Sequence, residues 1–212
     1  MATLFSVDFE NNNLIDPTDG FGAILVRGGV LEVSATAALT GSYGLAVTPI
    51  VGYICQGMRA TGTRTTRLRQ AFQFDPNSLT LSAGTYLYIA ASAFSNDVSH
   101  TIAYTNNGGV YKIMAGAIKD DNVKSWTSMY EITDAPHLIE VDWQASSAAG
   151  ANDGFISLWI DGALQQTVAN VDNDTKRAGY PAIGCMQAPA GFSGTYYLDH
   201  WRVNTDGVEI GA

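Results

Sequence analysis

The sequence predicts an all-β chain folded as an antiparallel two-sheet jelly-roll sandwich. Three observations carry that prediction. Residues 139–143 and 155–160 alternate apolar with polar side chains on either side of a loop rich in Ala, Ser, Gly and Asn, as two antiparallel strands of one sheet do. The second run ends in Asp161-Gly162, a tight-turn dipeptide. Short runs of this kind recur along all 212 residues, while no long 3.6-period stripe appears and Gly occurs 22 times.

Strands are predicted over residues 4–10, 30–34, 44–48, 67–74, 86–94, 101–105, 110–114, 138–144, 155–160, 164–168, 182–186 and 196–203. Turn chemistry separates them at Asp19-Gly20, Gly28-Gly29, Thr40-Gly41-Ser42, Asp75-Pro76-Asn77 and Asp161-Gly162. The cleanest hairpin spans 101–114 around Asn106-Asn107-Gly108-Gly109. In 86–94, alternation places Tyr86, Tyr88, Ala90, Ser92 and Phe94 on one face and Leu87, Ile89, Ala91 and Ala93 on the other. A strand apolar on both faces belongs inside a layered structure. No Pro-rich linker, charge run or internal repeat divides the chain, so residues 1–212 read as a single domain.

A chain of this length can hide roughly 70 % of its unfolded surface, and a hydrophobic fraction of 46 % is enough to build that core. Charged residues make up only 15 %, against roughly 25 % in ordinary soluble domains. Ser, Thr, Asn, Gln and Gly must therefore cover much of the outside, a surface suited to hydroxyl-rich ligands or to packing against other subunits. A net charge of −9 argues against a phosphate-backbone partner. Arg59, Arg64, Arg67 and Arg69 form a local basic cluster, either a dock for an acidic polymer or neighbouring subunit, or a solvated strand face. Cys55 and Cys185 match no metal or redox spacing; buried free thiols are expected, with a disulfide as the alternative. The first residues lack a basic start and a long apolar stretch, which argues against a signal peptide. No run approaches the ~18 apolar residues of a membrane span.

Three stretches resemble the ends of carbohydrate-binding jelly-roll modules: Val7-Asp8-Phe9-Glu10-Asn11, the segment from Leu39 to Val47, and the closing Tyr196-Tyr197-Leu198-Asp199-His200-Trp201-Arg202-Val203. Residues 155–162, ending in Ile160-Asp161-Gly162, resemble the concanavalin A-like lectin/glucanase and laminin-G-like sandwiches. That resemblance implies a structural calcium ion near the first and last strands, for which Asp8, Glu10 and Asp199 match in type. No other cofactor is implied. The alternative is an ordinary polar strand face. Asn152-Asp153-Gly154 and Asp172-Asn173-Asp174-Thr175 are further oxygen-rich loops that Asx turns also explain.

The same resemblance invites comparison with retaining glucanases, which carry their carboxylates at alternating positions of one strand. Glu140 and Asp142 fit by type, but Gln144 stands where the second Glu belongs. Retaining hydrolysis needs two carboxyl groups ~5 Å apart, and an amide cannot give and recover the proton. The simpler reading has Ile139, Val141 and Trp143 in the core and Glu140, Asp142 and Gln144 facing water. His100, His137 and His200 show no metal spacing. No enzyme is expected.

Sugar binding would use exposed aromatic platforms. Trp143, and Trp159 with Phe155, are expected in the core; Trp126, in polar surroundings near a loop, is the platform candidate, with Tyr104 or Tyr111 beside it. The competing class is a non-catalytic structural or surface-assembly protein, such as a phage capsid decoration, head-fibre or tail component. Few charges, a first strand close to Met1 and no export signal motivate it. Its partners would be copies of itself or a capsid or tail lattice, on a virion or cell-exterior surface. The sequence places this assembly reading first and the polysaccharide-binding module second.

Overall fold

Period-two alternation gives each long strand one face that packs inward and one that looks outward. In a computed structural model, which describes residues 4–77, 79–95 and 97–211, that pattern closes into two large antiparallel sheets. In chain order the strands are β1 Phe5–Val7, β2 Ala23–Val26, β3 Gly29–Ser34, β4 Gly44–Pro49, β5 Cys55–Met58 and β6 Arg67–Asp75. They continue with β7 Thr80–Leu81, β8 Leu87–Phe94, β9 Asp97–Asn107, β10 Val110–Ile118, β11 Lys124–Trp126 and β12 Tyr130–Ile132. The last are β13 His137–Gln144, β14 Gly154–Ile160, β15 Ala163–Val171, β16 Tyr180–Cys185, β17 Phe192–Ser193 and β18 Tyr196–Asn204. No helix among the described residues is long and apolar enough to cross a membrane.

The first sheet runs β15-β14-β13-β6-β18-β4-β3, with β1 also on β18; the second runs β11-β10-β9-β8-β16-β5-β2, with β12 also on β10. A small pair, β17 with β7, stands apart. Each of the twelve predicted runs lies on a strand, with ends shifted by a few residues. Six strands had no sequence signal: β2, β5, β7, β11, β12 and β17. With two to four residues apiece, they are too short to show a period; β11 and β12 pair with the long β10 and β5 with β16, while β2 pairs with β5 and β7 with β17.

Between the sheets lie Leu68, Phe72, Phe74, Ile139, Val141, Trp143, Leu198, Trp201 and Val203 from the first, and Leu87, Ile89, Ile102, Tyr104, Ile113 and Ile183 from the second. Trp201 meets Phe5 edge-on at 5.0 Å and Phe21 at 5.8 Å, tying the first and last strands together. Trp143 is fully buried, as expected. Phe155 and Trp159 are not core residues: both are half-exposed on the opposite face of β14. Strict alternation also fails in β8, where the register against β9 slips at Tyr88–Ala90 and again at Ser92–Ala93. These bulges put Ala90 in the core with Leu87 and Ile89 and turn Ala91 outward, so the two faces read from sequence do not hold. Cys55 and Cys185 face each other across β5 and β16 as buried free thiols, and burial pushes them up to about 11 and about 12.

One polar thread crosses the core. Trp201 Nε1 donates to Gln70 Oε1 at 3.4 Å, and Gln70 Nε2 lies 2.9 Å from His100 Nε2. His100 Nδ1 lies 3.1 Å from Ser99 Oγ, which donates to the Ser92 carbonyl at 3.0 Å. Only one proton arrangement satisfies every step: His100 neutral, with Nδ1 protonated and Nε2 accepting. Complete burial agrees, pushing the imidazole down to about 3 from 6.5.

The unfolded chain takes up a proton at His100 below pH 6.5 and the folded chain does not. Stability should therefore fall as pH drops from 6.5 to 5, by up to about 1.4 kcal/mol per pH unit from this residue. Urea unfolding at several pH values measures it. In His100→Gln that part of the slope should vanish.

Candidate ligand groove

Strand β13 sets Glu140 opposite Ala71 and Asp142 opposite Arg69 on β6. They do not face water: Glu140 is 1 % exposed and Asp142 3 %. Arg69 Nε lies 2.5 Å from Glu140 Oε1, and Arg67 Nη2 lies 2.7 Å from Asp142 Oδ2. Trp159 covers the Arg69 guanidinium at 4.2 Å, and Phe155 lies 5.7 Å from that of Arg67. The C-terminal tail closes the cluster, because Ile210 N donates to Glu140 Oε1 and Arg69 donates to the Gly207 carbonyl. Both carboxylates are thus paired with guanidinium groups under a lid of backbone, with no open face for a sugar. Arg67 and Arg69 are correspondingly not a solvated strand face. Removing one partner of such a buried pair leaves an uncompensated charge. Glu140→Ala should lower the stability of unfolding by about 3–5 kcal/mol, read from urea midpoints.

The three carboxylates matched to a calcium site do not converge on one. Asp199 is fully buried and accepts from Leu39 N, Thr40 N and its neighbour His200 N. Glu10 accepts from Ser42 N and Tyr43 N, which hold it below the usual carboxylate range. Asp8 accepts from Ser6 Oγ. Asp199 and Glu10 spend their oxygens on the backbone of the 39–43 loop, so the three together do not offer the six to eight free oxygens that calcium takes. Among the described residues, three carboxylates gather with their oxygens within 4.8 Å of one another at Asp120, Asp172 and Asp174. There Asp120 already accepts from Thr175 N and Oγ1.

Thr133, His137 and Asp161 fall in line, with Oγ1 2.8 Å from Nε2 and Nδ1 2.7 Å from Asp161 Oδ2. Yet Nε2 also accepts the Thr133 backbone N–H at 3.0 Å, so its lone pair is engaged in clamping the turn. It is poorly placed to act as a general base.

The outer face of the second sheet is different in kind. Ala91, Thr101 and Ala182 form a floor of small residues across β8, β9 and β16, and a groove of about 580 Å³ runs over it from Lys124 on β11 to Gln56 and Met58 on β5. The hydroxyl of Thr101, buried in that floor, has no hydrogen-bond partner. A second hollow of about 330 Å³ adjoins it across Tyr88 and is lined by Tyr86, Trp126 and Met129.

Trp126 sits directly opposite Gly116 in the β10–β11 pairing. Its indole lies over that glycine, where any Cβ would come within 2.5 Å of Cε3. Gly116 is what lets the ring lie flat on the sheet. Tyr88 runs parallel to it, 8° between planes and 6.3 Å between centroids. Both rings are half-exposed. The partners expected for Trp126 are elsewhere. Tyr104 is fully buried against Phe74 at 5.3 Å, and Tyr111 packs over Tyr104 at 6.3 Å. Tyr88 was visible in the sequence as a strand residue, but pairing it with Trp126 depends on β11, which carried no signal of its own.

The sequence matches no known protein family and no curated protein. Solved structures do share the fold. The receptor-binding domain of botulinum neurotoxin type G superposes with a TM-score of 0.66 at 9 % identity, covering 99 % of this chain and 49 % of that one. The binding domain of botulinum neurotoxin serotype D gives 0.62 at 11 % identity, with 98 % and 49 % covered. Cip1, a cellulose-induced protein, gives 0.64 at 15 % identity, with 98 % and 99 % covered. The chain spans about half the length of the toxin domains. At such identities the likeness is one of architecture. The fold is a jelly-roll sandwich of concanavalin-like architecture.

Proposed function

We propose that this chain is a non-catalytic glycan-binding module whose site is the groove on the outer face of the second sheet. The observation that carries the proposal is the Trp126–Tyr88 pair, two parallel half-exposed rings beside a floor of small residues. Sugar C–H faces pack on such rings while hydroxyls meet polar groups below. The likeness to receptor-binding domains agrees in architecture. The sealing of Glu140 and Asp142 supports the absence of glycosidase chemistry on β13. Glycan-array binding should be lost in Trp126→Ala and Tyr88→Ala, with affinity at least about tenfold lower and thermal midpoints nearly unchanged, as for half-exposed aromatic contacts. An array that stays blank for the parent chain would refute the reading.

A second reading, assembly into a larger surface such as a phage capsid, head-fibre or tail, has one observation in its favour. The edge strands β2 and β3 end the two sheets and carry exposed Ile24, Val26 and Val30, with Ile50 and Tyr53 also exposed on the segment after β4. Exposed apolar edges pair with other chains. This reading places the chain on a virion or cell-exterior surface. It predicts a stable oligomer by light-scattering size exclusion that Ile24→Lys with Val30→Lys reduces to monomer.

A further inference from the structure

We propose that the groove takes an acidic polysaccharide, one bearing carboxylate or sulfate groups along its chain, and discriminates against neutral glycans. This rests on the glycan-binding reading and names the ligand class of the same site. The observation behind it is that two aromatic stations, at opposite sides of the groove, are each capped by a cation without a carboxylate.

At the first station Lys124 Nζ lies 4.1 Å from the Tyr88 ring centre and 5.2 Å from that of Trp126. At the second, Phe94 and Tyr180 pair at 6.1 Å, and Arg64 lies 5.3 Å from the Phe94 ring. The second station repeats the device of the first. Phe94 rests over Gly179, where a Cβ would come within 2.5 Å of its ring. Tyr88 and Tyr180 both line the groove, so a single extended chain would pass both stations.

Arg67, Arg69, Lys112, Lys119 and Lys176 each have a carboxylate within 4 Å. Among the described residues Lys124, Arg64 and Arg59 have ring contacts and no carboxylate at that range. Arg59, over Phe5, is spent on the Gly20 and Pro17 carbonyls, whereas Lys124 and Arg64 make ring contacts alone, which leaves these two cations beside the groove to meet an anion. Asp97, near Arg64, is the acid on that rim, and it is engaged with Lys176 at 3.5 Å.

A ring face holds an ammonium or guanidinium weakly. A neutral sugar that stacks on the ring must push the cation away and receives no charge-assisted bond for doing so. An anionic substituent instead draws the cation onto itself, while the ring beneath stays available to the sugar face. Because the net charge of −9 repels polyanions in general, binding of an acidic chain would have to be local to these two stations.

The test is calorimetry of the full chain with matched polymers: dextran sulfate against dextran, and polygalacturonate against its methyl ester, in low and high salt. At least one charged polymer should bind about tenfold or more tightly than its neutral counterpart and weaken at high salt, as surface charge pairs do. The pair that responds tells sulfate from carboxylate. Lys124→Ala and Arg64→Ala, whose side chains make only ring contacts, should each weaken that binding severalfold with the thermal midpoint unchanged. Neutral polymers binding as well as charged ones, without salt dependence but with loss in Trp126→Ala, would overturn the ligand class and leave the glycan groove standing. Charged polymers that bind equally well to both cation variants would place the anion elsewhere and overturn the proposal. If nothing binds in either pair and a glycan array is blank, both readings fall.

Discussion

The relative placement of the two sheets depends on the polar thread Trp201–Gln70–His100–Ser99. Apolar side chains between sheets are tolerant of sliding, since dispersion and burial have no direction. A buried amide and imidazole are not tolerant, because an unmet donor in a low-dielectric core costs its full desolvation. Gln70 on β6 and His100 on β9 therefore hold one position along the strands relative to each other. Trp143 lies over the His100 ring at 5.8 Å and leaves little room for any other placement. The thread ends at the Ser92 carbonyl, and Ser92 is also part of the groove floor. Core and groove are thus set by the same residues.

The outer faces of the two sheets serve opposite ends. On the first, Glu140, Asp142, Arg67 and Arg69 neutralise one another, and the C-terminal tail covers them. The cluster is closed in charge and buried, which suits it to hold the tail and unsuits it to bind a sugar. On the second sheet, Ala91 and Ala182 leave room above the strands, while glycines beneath Trp126 and Phe94 let large rings lie down at the margins. The basic cluster noticed in the sequence is divided between these faces. Arg67 and Arg69 join the closed network, Arg59 donates to the Gly20 and Pro17 carbonyls, and Arg64 alone reaches the groove side.

Much of the fold was legible because long strands repeat one decision many times. Along β13, Ile139, Val141 and Trp143 point inward for the same reason, and each repeats the evidence for the others. The site was less legible. Trp126 was recognised by its polar surroundings, but Tyr104, taken as its partner, belongs to the core, and Tyr88, its actual neighbour, comes from three strands away in the sheet. The acids of β13 were read as outward-facing, which is right for the pleat. They were then read as wet, which is wrong, because a segment some 70 residues later folds over them.

Sequence alone determined the all-β class, the long strands, the inward position of Trp143 and the presence of Trp126 as a candidate platform. All of these follow from local pattern, where side-chain period and turn chemistry act within a few residues. Tertiary structure decided which rings stand beside Trp126, which carboxylates are sealed, which cations are left without carboxylate partners, and that Glu10 and Asp199 are spent on the loop from Leu39 to Tyr43. Those outcomes depend on strand order across a sheet and on where the tail lies. Contacts between residues far apart in the chain are set by pairing and packing, and no local period records them.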